Sequence, residues 1–171
     1  MNIITLFTCL LLYQAPVKPP AKADTIAIDT SRYSILSFNK SRDSFLFNER
    51  SEAATLSGKE LIKVEKIIRV MVKEYNQKIK ADKKRNKQKQ PDAEVNNLAI
   101  KKPGNYYKQL IAITNHKGEK IVWVNCFCTP YEKRHWKKGV VLILDGGPCF
   151  FNLKINLSTN TVIDFKVNGV A

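Results

Sequence analysis

The chain has 171 residues, of which 29 are Lys or Arg and 15 are Asp or Glu, so its net charge at pH 7 is +14. With 44% hydrophobic residues it can bury a core as one domain of ordinary size. The length and composition exclude a small scaffold that depends on disulfides for its stability. The strong positive charge favours partners that carry anionic groups.

The first segment is apolar over residues 2–13 and is shorter than the roughly 20 residues that cross a bilayer. A small-x-small sequence, Ala21-Lys22-Ala23, follows it. This pattern predicts a signal peptide over residues 1–23, and therefore a secreted or periplasmic protein. A buried N-terminal strand is the alternative, because the run is short and rich in leucine.

Residues 24–55 are mixed and polar, and they predict an irregular segment with short edge strands near 35–38 and 44–47. A clear helix start follows. Ser57 and Glu60 have the spacing of a capping box, and Leu56 and Leu61 have that of a hydrophobic staple. We therefore predict a helix over about residues 58–80, whose apolar face carries Leu61, Val64, Ile68, Met71, Tyr75 and Ile79.

A basic segment, residues 78–89, overlaps the end of this helix and holds seven cations and one acid. It predicts an interaction surface for an anionic membrane or lipopolysaccharide. The candidate residues are Lys80, Lys83, Lys84, Arg85, Lys87 and Lys89. The alternative is a solvated charge run, because cations also suit a helix C-terminus. No aromatic residue lies in residues 78–90, so no specific nucleic acid partner is predicted.

A linker over residues 90–104 leads to a predicted sheet over residues 106–168. The apolar runs predict strands over residues 106–114, 120–128, 139–144, 149–157 and 162–167, and residues 139–157 can also be read as one interrupted element. Apolar and polar residues alternate along the last two strands, which indicates that one face of the sheet is apolar and the other is exposed to water. The predicted fold class is α+β, with one long helix packed on a four- to five-stranded antiparallel meander, in a single domain over residues 56–171.

The capped helix followed by a meander looks like the cystatin-like α+β architecture. The runs at residues 124–128 and 145–152 also resemble those of small uncharacterised exported proteins of Bacteroidetes-type bacteria. The resemblance covers about residues 55–171 and carries no assigned activity, so it implies only the fold and the export. Cystatin inhibitors carry a Gln-x-Val-x-Gly turn, whereas residues 115–118 read Asn-His-Lys-Gly, so inhibition of papain-type proteases is not implied.

Three cysteines follow the predicted signal peptide: Cys126, Cys128 and Cys149. An odd number implies at least one free or intermolecular thiol. In the predicted meander Cys149 lies at the opposite end of the sheet from the other two, so a disulfide would need a different strand pairing. The alternatives are small buried core residues and a thiol nucleophile beside His116 or His135. With His135 included, the spacing matches no common zinc pattern, so no metal site is predicted.

Trp123 alternates with valines along its predicted strand, so it lies either in the core or on an exposed partner surface. None of the common catalytic or nucleotide-binding motifs occurs, so we predict no catalytic residues and no cofactor. The predicted function is an exported binding or interaction module, whose partner is an unknown protein or cell-envelope component. A thiol-dependent enzyme using Cys149 or Cys126 and Cys128 is one alternative, and association with an anionic surface through the basic segment is the other.

Overall fold

The computed structural model describes residues 28–47, 51–86, 98–130 and 135–169. The fold is mixed α+β, with one long helix and a mostly antiparallel sheet of six strands. The predicted signal peptide, the first part of the predicted linker (residues 90–97), and Lys87 and Lys89 lie outside the described residues.

The helices are α1 (Lys40–Asp43) and α2 (Gly58–Asn86). The strands are β1 (Tyr33–Leu36), β2 (Ser51–Ala53), β3 (Tyr107–Asn115), β4 (Lys120–Phe127), β5 (Phe150–Asn156) and β6 (Thr161–Val167). Neighbours along the sheet run β1-β3-β4-β5-β6. β1 pairs in parallel with the first half of β3, and β2 pairs antiparallel with the end of β3. The two short strands therefore share one edge of β3.

The start of α2 confirms the predicted capping box. Ser57 accepts a hydrogen bond from the backbone N–H of Glu60 at 3.3 Å, and the Glu60 carboxylate accepts one from the Ser57 N–H at 2.8 Å. Lys120 on β4 also donates to Glu60 at 2.7 Å. This hydrogen bond from Lys120, together with that from Ser57, lowers the pKa of Glu60 from its ordinary 4.5 to about 2.

Replacing Glu60 with glutamine keeps an acceptor for the cap but removes the ion pair. We expect a loss of about 1 kcal/mol at pH 7. Because the folded pKa of Glu60 is lowered, its contribution is complete above pH 4.5 and is lost as the pH falls towards about 2. Between pH 4.5 and about 2, the free energy of unfolding measured in urea should therefore fall less for E60Q than for the wild type. E74Q, which removes an equal charge from the middle of α2, is the control, and an unchanged acid slope in E60Q would contradict this assignment.

The sheet is covered on both faces, and each face has its own core. The core beneath α2 includes Val64, Ile68, Leu110, Val124 and Leu153, all fully buried. The opposite face is covered by residues 36–47 and by Val140. Its core contains Leu36, Leu46, Phe47, Ile111, Ile113, Ile121 and Trp123. The wet outer face predicted from the last two strands does not extend to β3 and β4, because the N-terminal segment packs on that face.

The predicted strand over residues 139–144 is also wrong. Residues 140–143 have no strand pairing and cross the outer face as an extended loop. Two buried side chains hold this loop: Gln109 donates to Gly139 O at 2.6 Å and to Trp136 O, and Asn125 donates to Val141 O at 2.7 Å. The side-chain amides thus make the hydrogen bonds to this backbone that a neighbouring strand would otherwise make.

Candidate functional site

A groove of about 440 Å³ lies between α2 and the segment Ile100–Pro103. Its polar lining is mostly cationic, and none of the described residues that line it is acidic. α2 contributes Arg69, Val72, Lys73, Asn76, Gln77 and Lys80, and the segment contributes Ile100, Lys102 and Pro103. We call this feature the basic groove.

One side chain of α2 fixes the width of the basic groove. Asn76 donates from Nδ2 to Ile100 O at 2.8 Å and accepts from the Ile100 N–H at 2.9 Å. The Ile100 side chain is 2% exposed and packs in the core beneath α2. Two hydrogen bonds and one buried anchor therefore hold the far wall against the helix.

Lys102 enters the groove from an unusual backbone conformation, with φ 48° and ψ 64°. A non-glycine residue in this left-handed region costs about 1–2 kcal/mol. This strained residue directly precedes the 3₁₀ turn Pro103–Asn105. Strain of this kind is most often found at functional sites, and here it adds a fourth cation to the groove.

Arg69 connects the groove to a buried polar cluster. Its Nε donates to Glu65 Oε1 at 3.1 Å, while Glu65 Oε2 accepts from the Tyr33 hydroxyl at 2.5 Å. Lys108 Nζ lies 3.5 Å from the same Oε2 and donates to Tyr106 O at 3.0 Å. One carboxylate therefore fixes groups from β1, α2 and β3.

Burial makes this cluster rigid. Lys108 is fully buried and Glu65 is 2% exposed. Each charge has therefore lost its hydration, and the groups that it contacts stabilise it instead. Burial also raises the pKa of Tyr33, with a further contribution from its bond to Glu65, so the phenol stays a donor. Arg69, half-exposed, is thus held at the rim of the groove by an interior network.

A second depression, of about 350 Å³, lies on the other side of the same segment. Lys102 lines both depressions, and Lys101 adds another cation to the second. A disulfide between Cys128 and Cys149, whose Cα atoms are 5.0 Å apart, lies in its wall. The two depressions and their cations therefore form one basic region around residues 100–105.

The observed strand pairing removes the objection that Cys149 lies at the opposite end of the sheet from Cys128. Without a strand over residues 139–144, β4 and β5 are direct antiparallel neighbours, and Phe127 pairs with Phe150. The end of β4 then lies beside the start of β5, and Cys128 donates its N–H to Cys149 O at 3.0 Å. Cys126 is a free thiol, buried in the core beneath α2 as a small apolar residue.

Burial raises the pKa of Cys126 to about 12, so its reactive thiolate is scarce at neutral pH. Cys128 and Cys149 are bonded to each other, and His116 and His135 are exposed. Among the described residues, the structure therefore brings no accessible thiol together with an imidazole. The described part of the chain also contains no cluster of three or more potential metal ligands, and none of its helices is long and apolar enough to span a membrane.

The sequence-predicted interaction residues are only partly brought together. Lys80 lines the basic groove, and Lys83, Lys84 and Arg85 continue along α2 beyond it. Trp123 lies on the sheet face away from α2, but it is 5% exposed beneath the N-terminal segment. Of the two alternatives for Trp123, the structure therefore shows the core position and not the exposed partner surface.

Sequence reasoning missed Arg69, Lys73 and Lys102 as groove residues. The spacing from Arg69 to Lys73 and from Lys73 to Lys80 places three cations on one helix face, which is a detectable signal. Nothing in the sequence pattern brings Lys102 to the same face. No family model matches the chain, and no curated protein or solved structure matches it either.

Proposed function

We propose that the protein is an exported binding module that holds a phosphate-bearing component of the cell envelope in the basic groove. One observation carries the proposal: four cations converge on a walled groove without a described carboxylate among its lining residues. The surrounding charge of the chain, +14 overall, would also attract such a ligand from solution.

The chemistry of the groove suits phosphate. Arg69 offers a planar guanidinium, which matches phosphate oxygens better than a point charge does, and the lysines add mobile ammonium donors. All four cations are exposed to solvent, so a phosphate can reach them without any movement of the walls. A buried network and the Asn76 contacts hold two of the walls before a ligand arrives, which lowers the entropic cost of binding.

Two further features belong to this proposal. The disulfide Cys128–Cys149 supports an exported location, because disulfides persist in oxidising compartments. The order of a capped helix followed by antiparallel strands supports a cystatin-like architecture. The parallel β1 and the covered outer face are additions to such a helix-on-meander plan.

The proposal is tested with K73E/K80E, which reverses two groove charges. We expect its affinity for lipopolysaccharide micelles or for vesicles containing phosphatidylglycerol to fall at least tenfold, because charge-assisted hydrogen bonds are replaced by repulsion. The remaining binding should also depend less on salt. Comparison of the two probes shows which phosphate source the groove prefers.

The control is K59E/K117E, which makes the same change in net charge at exposed positions that do not line the groove. This variant should change the affinity by less than about threefold, as expected for distant screened charges. Equal losses in both variants would show diffuse attraction rather than a site. Wild-type protein that binds neither probe would contradict the proposed function.

A further inference from the structure

β6 is an edge of the described sheet, and its only strand neighbour there is β5. The Asn168 N–H donates to Phe150 O at 3.0 Å, so the backbone groups of Asn168 point towards β5. Because the direction alternates along an antiparallel strand, the N–H and C=O groups of Phe165 and Val167 point away from the sheet. The edge therefore presents unpaired donors and acceptors, the usual template for adding another strand.

The side chains of this edge are self-complementary in one antiparallel register. When two copies of β6 pair about Phe165, Asp164 of each lies opposite Lys166 of the other. The β5–β6 register shifts between Asp164 and Val162, so regular pairing is counted only from Asp164 onwards. In an antiparallel pair, two opposite residues either both direct their backbone groups at each other or both direct them away. A register centred between two residues is therefore excluded, because it would place an outward-pointing residue opposite one that points to β5. A register centred on Asp164 or on Lys166 would place like charges directly opposite each other, which is destabilising.

An apolar groove of about 480 Å³ lies beside this edge and opens to solvent. Met71, Tyr75 and Ile79 of α2 line one side, and Phe165 and Val167 of β6 line the other. The charged residues Glu74, Lys78 and Asp82 of α2 also line it. Ile163, also on this edge, is 54% exposed. A two-fold axis through the paired strands is perpendicular to the sheet, so both helices would lie on the same face. The two grooves would then lie on the same face of the joined sheet, on either side of the two-fold axis.

We propose that the protein forms a homodimer through β6, in which two sheets join into one across an antiparallel β6–β6 pair centred on Phe165. The occupant of the edge is a second copy of this chain. Three features carry this assignment: the outward backbone groups, the opposite charges in register, and the adjoining apolar groove. It is independent of the basic groove, which lies on the other side of α2.

Sedimentation equilibrium of the full chain over a range of concentrations tests the dimer, and D164K, K166D and D164K/K166D test its register. Each single variant should weaken dimerisation about tenfold, because two-fold symmetry turns two attractive pairs into two repulsive ones. The double variant should restore most of the affinity, since it reverses both partners. It also retains the ion pair between positions 164 and 166 within one chain, where Lys166 Nζ lies 3.0 Å from Asp164 Oδ2. Because it places a lysine opposite Lys154 of β5, circular dichroism of the monomer is used to check that β6 stays formed.

V167P provides a second test, because it removes an outward N–H that an edge strand of a monomer does not need. It should weaken the dimer while leaving the circular dichroism spectrum of the monomer unchanged. I35D, which changes a side chain that is 49% exposed on β1 at the opposite end of the strand order, should leave the dimer intact. A monomer at all concentrations, a double swap that fails to restore the dimer, or a dimer lost only in I35D would overturn the proposal.

Discussion

Replacing Glu65 with leucine is expected to lower the free energy of unfolding by about 3–5 kcal/mol, because it leaves the fully buried Lys108 without its counter-charge. The same change removes the acceptor of the Tyr33 hydroxyl and the partner of Arg69 Nε. Urea unfolding followed by circular dichroism measures the loss. The variant should also bind anionic probes more weakly, since Arg69 is no longer held at the rim of the basic groove.

The matched control is the double variant Glu65→Leu with Lys108→Met. Replacing both members of a buried ion pair with apolar residues is often neutral or stabilising, whereas removing one member is costly. We therefore expect the double variant to recover most of the stability lost in E65L. If the double variant were as unstable as the single one, the packing of the Glu65 position, rather than its charge, would explain the effect.

Removal of the Cys128–Cys149 disulfide is expected to lower the free energy of unfolding by about 3 kcal/mol, as loop-closure entropy predicts for a sequence separation of 21 residues. The double variant C128S/C149S should therefore melt roughly 6–12 °C below the wild type. Cys128 is exposed, so serine is accommodated there without burying a hydroxyl.

The control for this prediction is the addition of a reductant. Dithiothreitol should lower the melting temperature of the wild type to that of C128S/C149S and should leave the double variant unchanged. Equal melting of the wild type with and without reductant would show that the bond contributes nothing to stability. Cys126 should react with thiol reagents only as the protein unfolds, because it is buried.

Local signals predicted the start of α2 well, because the capping residues and the apolar stripe depend only on near neighbours in the chain. The strand over residues 139–144 was predicted wrongly for the opposite reason. Its Val-Val-Leu-Ile-Leu run has strong β-propensity, yet Gln109 and Asn125, more than a dozen residues earlier in the chain, hold its backbone instead. Tertiary hydrogen bonds of this kind leave no periodic pattern to detect.

The candidate site was predictable only where helical spacing shows it. Lys80 belongs to a charge run that is visible in the sequence, and Arg69 and Lys73 follow its helical spacing. Lys102 reaches the groove through a left-handed backbone position and the Asn76 contacts with Ile100, which depend on the folded arrangement of α2 and residues 100–105. The disulfide remained one of several alternatives for the cysteines, because one wrongly assigned strand separated Cys128 from Cys149.

β1 and β2 pair with the same edge of β3, and this arrangement affects the order of folding. Tyr33 pairs with Lys108, and Ser51 pairs with Asn115, so both short strands must wait for a partner that the ribosome makes much later. Contacts this distant in the chain raise the contact order and slow folding. The hairpins β3–β4 and β5–β6 form from local contacts, so we expect β1 and β2 to dock onto β3 after the β3–β4 hairpin has formed. During synthesis, β1 and β2 therefore leave the ribosome before the strand that pairs with both of them.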